Sequence, residues 1–138
     1  MQMPLNNYRH TQVNTSSPEK ILLLLYDGAI NFSHIAKEKA EKGDNGERGK
    51  YVSKAQAIVA ELMNTLDHEV GGVIAERLTQ LYKYIINEYV CANINNSVAS
   101  LDNTVKILTI LRDTWAEAIQ IMQKEREAEF DFRKGSLR

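Results

Sequence analysis

The side chains that most often carry catalysis or bind metals are few and scattered in this sequence. Its three histidines are His10, His34 and His68. Metal sites in helical bundles use Glu-x-x-His, which places both ligands on one helix face, and no histidine here follows a glutamate at that spacing. Asp67 and Glu69 flank His68, but adjacent residues of a helix point in different directions. We therefore predict no metal site.

The glycine-rich stretch KGDNGERGK, residues 42–50, is the other candidate for chemistry, because glycine loops can bind phosphates. It follows no strand pattern and contains no Lys-Ser or Lys-Thr pair, so we interpret it as a connection between helices. The sequence also lacks a nucleophile elbow. Cys91, the single cysteine, stands in an apolar helical stretch, where we expect it to behave as a small buried hydrophobe. We predict that the protein is not an enzyme and has no cofactor.

Length and composition restrict the class of protein further. The 138 residues predict one domain, and the net charge of -1 argues against nucleic acid or an anionic membrane as partner. We see no signal peptide and no apolar run near the ~20 residues that a membrane span needs. A lone cysteine fits a reducing compartment. These features predict a soluble protein of the cytosol.

The spacing of apolar residues predicts an all-α fold without strands. Ser17 followed by Pro18 is a strong helix start, since a serine caps the helix and a proline fits its first turn. We expect an antiparallel four-helix bundle over residues 17–124, with an irregular N-terminal arm at 1–15 and a charged C-terminal tail at 125–138 that frays. The predicted helices run from Pro18 to about Glu41, from about Lys50 to His68, from about Val73 to Asn93 and from about Val98 to at least Lys124.

Two of these helices carry more apolar residues than a bundle core needs. The stretch SSPEKILLLLYDGAI, residues 16–30, has five consecutive apolar residues, which point all around a helix axis. On the last helix Ile107, Ile110 and Ile121 project within about 60° of one another, away from the main apolar seam. Such a surplus usually marks a partner site. We predict a groove that accepts an amphipathic helix, and an arm that covers the groove and leaves it when the partner arrives. The expected partner-binding residues are Leu5, Tyr8, Val13, Leu23, Leu24, Ile107, Ile110 and Ile121.

Other interpretations of the surplus remain open. Both helices could be central in the bundle and covered by their own neighbours and the arm. The second apolar faces could pack between identical subunits, which would make the protein a self-associating structural bundle and a homodimer without its partner. A metal-dependent bundle enzyme is a third hypothesis.

Several stretches of the sequence resemble one known family in order and spacing. They are SSPEKILLLLYDGAI, then LDHEVGGVIAERLTQLYKYI from Leu66, ANINNSVASL from Ala92 and LRDTWAEA from Leu111. The arm's YRHTQV, with Tyr8, resembles a further stretch of that family. Over residues 5–122 the chain is similar to the FliS family, the flagellar export chaperones for flagellin.

This resemblance implies a fold and a function. The family is an antiparallel helical bundle of the bacterial cytoplasm that binds the C-terminal segment of flagellin, which is disordered in the monomer. Binding blocks premature polymerisation and keeps the subunit competent for the flagellar type III export gate. The family's N-terminal arm is thought to shield part of the surface that flagellin uses.

Overall fold

The structure, a computed structural model, describes residues 17–136 as an all-α bundle. Its helices are α1 (Pro18–Glu41), α2 (Asn45–Asn64), α3 (His68–Asn95) and α4 (Val98–Ser136). The predicted all-α fold is confirmed. The arm at residues 1–15, and with it the predicted positions of Leu5, Tyr8 and Val13, lies outside the described residues.

Side-chain caps decide where these helices begin. The Ser17 hydroxyl accepts the backbone N–H of Lys20 at 3.3 Å, and Pro18 occupies the first turn of α1, as predicted. The carboxylate of Asp44 accepts the N–H of Glu47 at 3.2 Å. This cap starts α2 at Asn45, five residues before the predicted start, so most of the glycine-rich stretch is helical rather than a connection.

The helix α3 also begins earlier than predicted. The Asp67 carboxylate accepts the N–H groups of Glu69 and Val70 at 3.0 and 3.1 Å, which starts α3 at His68. The predicted glycine turn is a kink inside this helix, because Gly72 has φ 50° and ψ −123°. A positive φ with this ψ is open to glycine and strained for other residues.

The helix α4 continues well beyond its expected minimum at Lys124. It remains helical to Ser136, so residues 125–136 of the predicted tail are helical where we expected fraying. Every residue from Gln120 to Gly135 is exposed. The last turns of α4 thus extend into solvent.

Each helix packs against two neighbours, so α1 and α3 lie diagonally across the bundle, as do α2 and α4. Three ion pairs show that α1 and α4 run antiparallel. Nitrogen–oxygen distances are 2.8 Å for Lys37–Asp102, 2.9 Å for Arg112–Asp27 and 3.6 Å for Arg126–Glu19. The short connections make α2 and α3 antiparallel to their neighbours as well.

A line of buried polar contacts joins the diagonal helices α1 and α3, which run parallel. Tyr26 and Tyr82 share a hydrogen bond between their hydroxyls, and the Ser33 and Tyr89 hydroxyls lie 2.7 Å apart. In both pairs the partners are 56 residues apart in the chain. Successive members on each helix are seven residues apart, which is two helical turns. This regular spacing fixes the register of α1 against α3.

The hydrophobic core surrounds this line. Trp115 on α4 is half-buried, and its indole N–H donates to the Tyr26 hydroxyl at 3.1 Å. The hydroxyl of Ser33 also donates to the carbonyl of Ala29 at 2.7 Å, so it is satisfied within α1. The fully buried apolar residues include Ala29, Ala36, Val52, Ala55, Val59, Leu62, Ile85, Ala92, Leu101 and Leu108.

One end of the bundle is closed by a buried arginine. Arg48 is 8% exposed and donates to the side chain of Asn45 at 2.8 Å and to the backbone carbonyl of Asn93 at 3.1 Å. It also donates to the side chain of Asn96, the left-handed residue that ends α3. A cation is favourable here because the last carbonyls of a helix carry partial negative charge.

Alkaline pH should unfold the bundle through its buried tyrosines. Burial raises the pKa of Tyr26, Tyr82 and Tyr89 in the folded state, whereas tyrosine in an unfolded chain ionises near pH ~10. The three buried tyrosines therefore contribute fully to the free energy of unfolding below about pH 10. Their contribution declines as the pH rises above it, because only the unfolded chain readily loses these protons. Circular dichroism and tyrosinate absorbance should change together in this range. Ionisation of all six tyrosines with intact helicity would contradict the assignment.

Substitution of two helical glycines should have effects of opposite sign. Gly72→Ala should lower the free energy of unfolding by about 1–2 kcal/mol, because alanine is strained at positive φ. Gly49→Ala should raise it by about 0.5–1 kcal/mol, because Gly49 lies within α2 and an added Cβ meets no atom within 4 Å. Urea denaturation of both variants measures the difference. Equal effects would mean that the kink at Gly72 is absent in solution.

Candidate partner-binding surface

A groove opens at the end of the bundle where α2 ends and α3 begins. We call it the end groove; its volume is about 260 Å³. All four helices contribute to its walls, and nearly all of the lining is apolar. The lining residues are Leu22 from α1, Leu62 from α2, Thr65, Leu66 and Asp67 from the connection, Val70, Gly71, Ile74, Ala75, Leu78 and Tyr82 from α3, and Trp115 from α4.

The inner wall of the end groove is held by the buried hydrogen bonds of the core. Tyr82 is buried and bonded to Tyr26, which in turn accepts from Trp115. The hydroxyl of Thr65 donates to the backbone carbonyl of Leu62 at 2.8 Å, so it is satisfied before any partner arrives. The groove therefore offers shape and apolar contact.

The two glycines of α3 turn its first apolar residues outward at the mouth of the groove. Val70 is 87% exposed and Ile74 is 68% exposed. A Cβ on Gly71 would lie 2.8 Å from the Cβ of Ala75, so only glycine fits without a shift. Apolar residues of this size are normally buried when a helix packs regularly. The kink thus creates exposed apolar surface beside the groove.

A second exposed apolar surface lies on α4, on the side that faces α3. Asn103 marks that side, because its amide donates to the Tyr84 hydroxyl at 3.0 Å and to the Glu88 carboxylate at 2.9 Å. Ile110 follows Asn103 by seven residues, or about two turns, and points in nearly the same direction. Ile110 is 65% exposed, and Ile121, three turns further on, is 52% exposed.

Because α3 and α4 run antiparallel, these two surfaces lie at similar heights along the bundle. Asn103 contacts Tyr84 and Glu88 and so lies at their height along the bundle axis. Each later residue of α4 lies at the height of a correspondingly earlier residue of α3. Ile110 is then level with about residue 79 and Ile121 with about residue 68. We call the combined surface of Val70, Val73, Ile74, Ile110 and Ile121 the α3/α4 strip.

The structure separates the predicted partner-binding residues into two regions. Ile110 and Ile121 lie in the α3/α4 strip, with Ile107 half-buried against the core beside them. Leu23 is half-buried, and Leu24 is exposed on α1, which lies diagonally across from α3. Leu24 therefore lies outside the α3/α4 strip.

Sequence reasoning missed the end groove and the exposed start of α3. The sequence predicts a helix that begins only at about Val73, with no groove at its start. The available signal was the pair Gly71–Gly72 directly before two β-branched residues. A glycine pair there both breaks the helical period and lets the following side chains point away from the core.

Within residues 17–136 no group of three or more His, Cys, Asp or Glu side chains could hold a metal ion. Cys91 is half-buried and unpaired with another cysteine in this region. None of the described helices is both long enough and apolar enough to cross a membrane. The apolar surfaces are consequently the features of this region that call for a functional explanation.

Comparison with known proteins agrees with this architecture. The family model described as flagellar protein FliS matches residues 1–122. The flagellar secretion chaperone FliS of Bacillus subtilis is 32% identical over 126 residues, covering 91% of this chain and 93% of that protein. Its namesake in Campylobacter jejuni is 33% identical over 112 residues, covering 81% and 88%.

A solved structure supports the fold independently of sequence. The crystal structure of a bacterial flagellar chaperone superposes with a TM-score of 0.71 at 19% identity, covering 85% of this chain and 98% of that one. The likeness in fold, the family match over most of the chain and the relatives above 30% identity lead to one conclusion: this chain belongs to the FliS family of flagellar secretion chaperones.

Proposed function

We propose that this protein binds the C-terminal segment of flagellin in the bacterial cytosol and has no catalytic activity. Bound to the chaperone, the segment cannot polymerise prematurely and stays competent for the flagellar type III export gate. The observation that carries the proposal is the exposure of apolar residues in the end groove and in the α3/α4 strip, which the described helices leave uncovered. Leu24 and the half-buried Leu23 form a separate candidate contact on α1.

The physical mechanism is folding of the client upon binding. A disordered segment with an apolar stripe would otherwise associate with other subunits, and an amphipathic helix can place that stripe on the α3/α4 strip. Such coupled folding typically buries ~1,000–3,000 Å² and costs several kcal/mol in ordering the segment. That cost keeps the affinity moderate, so the complex can be taken apart at the export gate.

Polar groups beside the strip favour one register of the client. Asn103, Tyr84 and Glu88 form a hydrogen-bonded group at the edge of the strip, and Tyr84 is an exposed aromatic. A client helix that covers Ile110 must pass close to these groups and exchange hydrogen bonds with them. Polar groups at an apolar contact fix orientation more than they add affinity.

Self-association is the second candidate function, since exposed isoleucines could equally pack against a second copy. Sedimentation of the isolated protein separates the two. A tight dimer whose dissociation follows Ile110→Asp would favour the structural bundle, and a monomer that binds the client peptide would favour the chaperone.

Binding of the client can be followed with the protein's only tryptophan. Trp115 lines the end groove, so a peptide of flagellin's C-terminal segment should change its fluorescence on binding. Circular dichroism of the mixture should show more helix than the sum of the two components. An absence of binding at micromolar concentration would refute the proposed function.

The substitution Ile110→Asp should weaken peptide binding by more than about ten-fold, or about 1.4 kcal/mol. A charge in the α3/α4 strip must lose its hydration when an apolar client covers it. The melting temperature should change little, because Ile110 is exposed. Ile94→Asp is the matched control, since Ile94 is 75% exposed near the opposite end of α3. Equal weakening by both substitutions, or by neither, would remove the α3/α4 strip from the binding surface.

Deletion of residues 1–14 should strengthen binding of the same peptide while the bundle remains folded. The arm carries the predicted contacts Leu5, Tyr8 and Val13, and family members are thought to use this segment as a shield, so its removal takes away a competitor. Calorimetric titration of the full chain and the deletion variant measures the effect. An unchanged affinity would exclude the arm from the mechanism.

A further inference from the structure

Three large apolar side chains are exposed on α4 at a constant spacing. Ile110 is 65% exposed, Ile121 is 52% exposed and Phe132 is 77% exposed. Successive members are eleven residues apart, or about three turns, so each points within about 20° of the one before it. We call these three residues the α4 row. Phe130, which is also exposed, points about 160° away from Phe132 and does not belong to the row.

The last member of the α4 row lies beyond the end of the bundle. Arg126 pairs with Glu19, the second residue of α1, and α4 continues past this pair to Ser136. We call residues 127–136 the α4 overhang. It follows residues 1–122, which the family model matches, so membership of the family does not account for Phe132.

The α4 overhang is helical without support from neighbouring helices. Arg133 and Glu129 form an ion pair at 2.8 Å, one turn apart, which stabilises an exposed helix. Arg133 and Lys134 also place positive charge in the last turn, where the helix dipole favours it. A surface that is already ordered loses little entropy when a partner binds.

We propose that the α3/α4 strip continues along α4 to Phe132 and binds a single amphipathic client helix over this whole length. The inference rests on the proposed function and specifies the length and charge of the client helix. From Ile110 to Phe132 the row spans about 33 Å, which corresponds to ~22 residues of client helix. A contact that ended at Ile121 would engage only ~11 residues, and helices shorter than ~12–15 residues are marginal in water.

The direction of α4 brings such a client to Phe132. Ile121 is level with about residue 68, where α3 begins, so beyond this point α4 alone offers contacts. A client helix that packs on Ile110 and Ile121 at the ~20° crossing angle of long helix pairs shifts sideways by roughly 6 Å before it reaches Phe132. A phenylalanine side chain spans that distance.

The charges beside the α4 row indicate the charge of the client. Arg126 and Lys134 lie on the far side of the helix, with Phe130. Arg133 reaches Glu129, so that one acid is already paired. Within about 80° of the row, over residues 117–135, the charged residues are Glu117, Lys124, Glu125, Glu129 and Asp131. This border is acidic even after Lys124 and the paired Glu129 are discounted, and it suits a client with basic residues beside its apolar stripe.

A second copy of this chain fits the α4 row less well than such a client. In an antiparallel pair centred on Ile121, Ile110 of one copy would face Phe132 of the other, and Glu117 would face Glu125. A parallel pair would place each of these glutamates beside its own equivalent. Both arrangements bring like charges together at the contact, which disfavours association.

Two matched substitutions in the full chain test the inference, with a peptide of flagellin's C-terminal segment as the probe. Phe132→Asp should weaken binding by about five- to ten-fold in calorimetric titration, because the client would have to cover a charge. Phe130→Asp adds the same charge on the opposite face and should change the affinity by less than about two-fold. Phe132→Leu keeps an apolar contact and should bind nearly as well as the native chain. Both phenylalanines are exposed, so the bundle should remain folded in every variant.

Equal weakening by Phe130→Asp and Phe132→Asp, or weakening by neither, would overturn the inference. A dimer in sedimentation that Phe132→Asp dissociates would also overturn it, because the row would then belong to a second copy. The proposed function survives the first two results if the native chain binds the peptide and Ile110→Asp weakens that binding. A native chain that does not bind the peptide would refute the proposed function and this inference together.

Discussion

The bundle depends on a line of hydrogen bonds between two helices that are not neighbours. Tyr26 with Tyr82 and Ser33 with Tyr89 join α1 to α3 across the core, with a constant offset of 56 residues. Apolar packing tolerates small shifts along a helix, whereas a buried hydroxyl that loses its partner costs about 1–3 kcal/mol. These contacts therefore specify one register, and the position of every surface group on α3 relative to α1 and α4 follows from it.

The exposed apolar surface is a consequence of that register combined with the kink at Gly72. Tyr82 and Trp115 are held in place from inside, so the end groove keeps its inner wall whatever happens at its mouth. The kink turns Val70 and Ile74 away from the core and brings them level with the far part of α4. The glycine pair that interrupts α3 thus lies beside the exposed residues with which α3 contributes to the candidate binding surface.

The sequence predicted the architecture better than the surface. Ser17 and Pro18 marked the start of α1 because capping is a local interaction, and the apolar periods of α2 and α3 gave the bundle. The start of α2 was wrong by five residues, because three glycines suggested a break and the Asp44 cap was overlooked. The prediction that Ile110 lies outside the core agrees with its exposure, but the position of Leu24 on a helix diagonal to α3 depends on which helices are neighbours. That is a property of the tertiary fold, which helical periodicity in one segment does not contain.

The buried Arg48 joins the start of α2 to the end of α3 through contacts that respond to ionic strength differently from the exposed ion pairs. Its hydrogen bonds go to the side-chain oxygens of Asn45 and Asn96 and to the backbone carbonyl of Asn93, with no carboxylate among them, and the arginine itself is buried. Dissolved ions screen exposed pairs such as Arg126–Glu19 far more than buried contacts. Concentrated salt therefore weakens the exposed ion pairs between α1 and α4 at both ends of the bundle, Arg126–Glu19 and Lys37–Asp102, more than the contacts by which Arg48 holds the start of α2 to the end of α3.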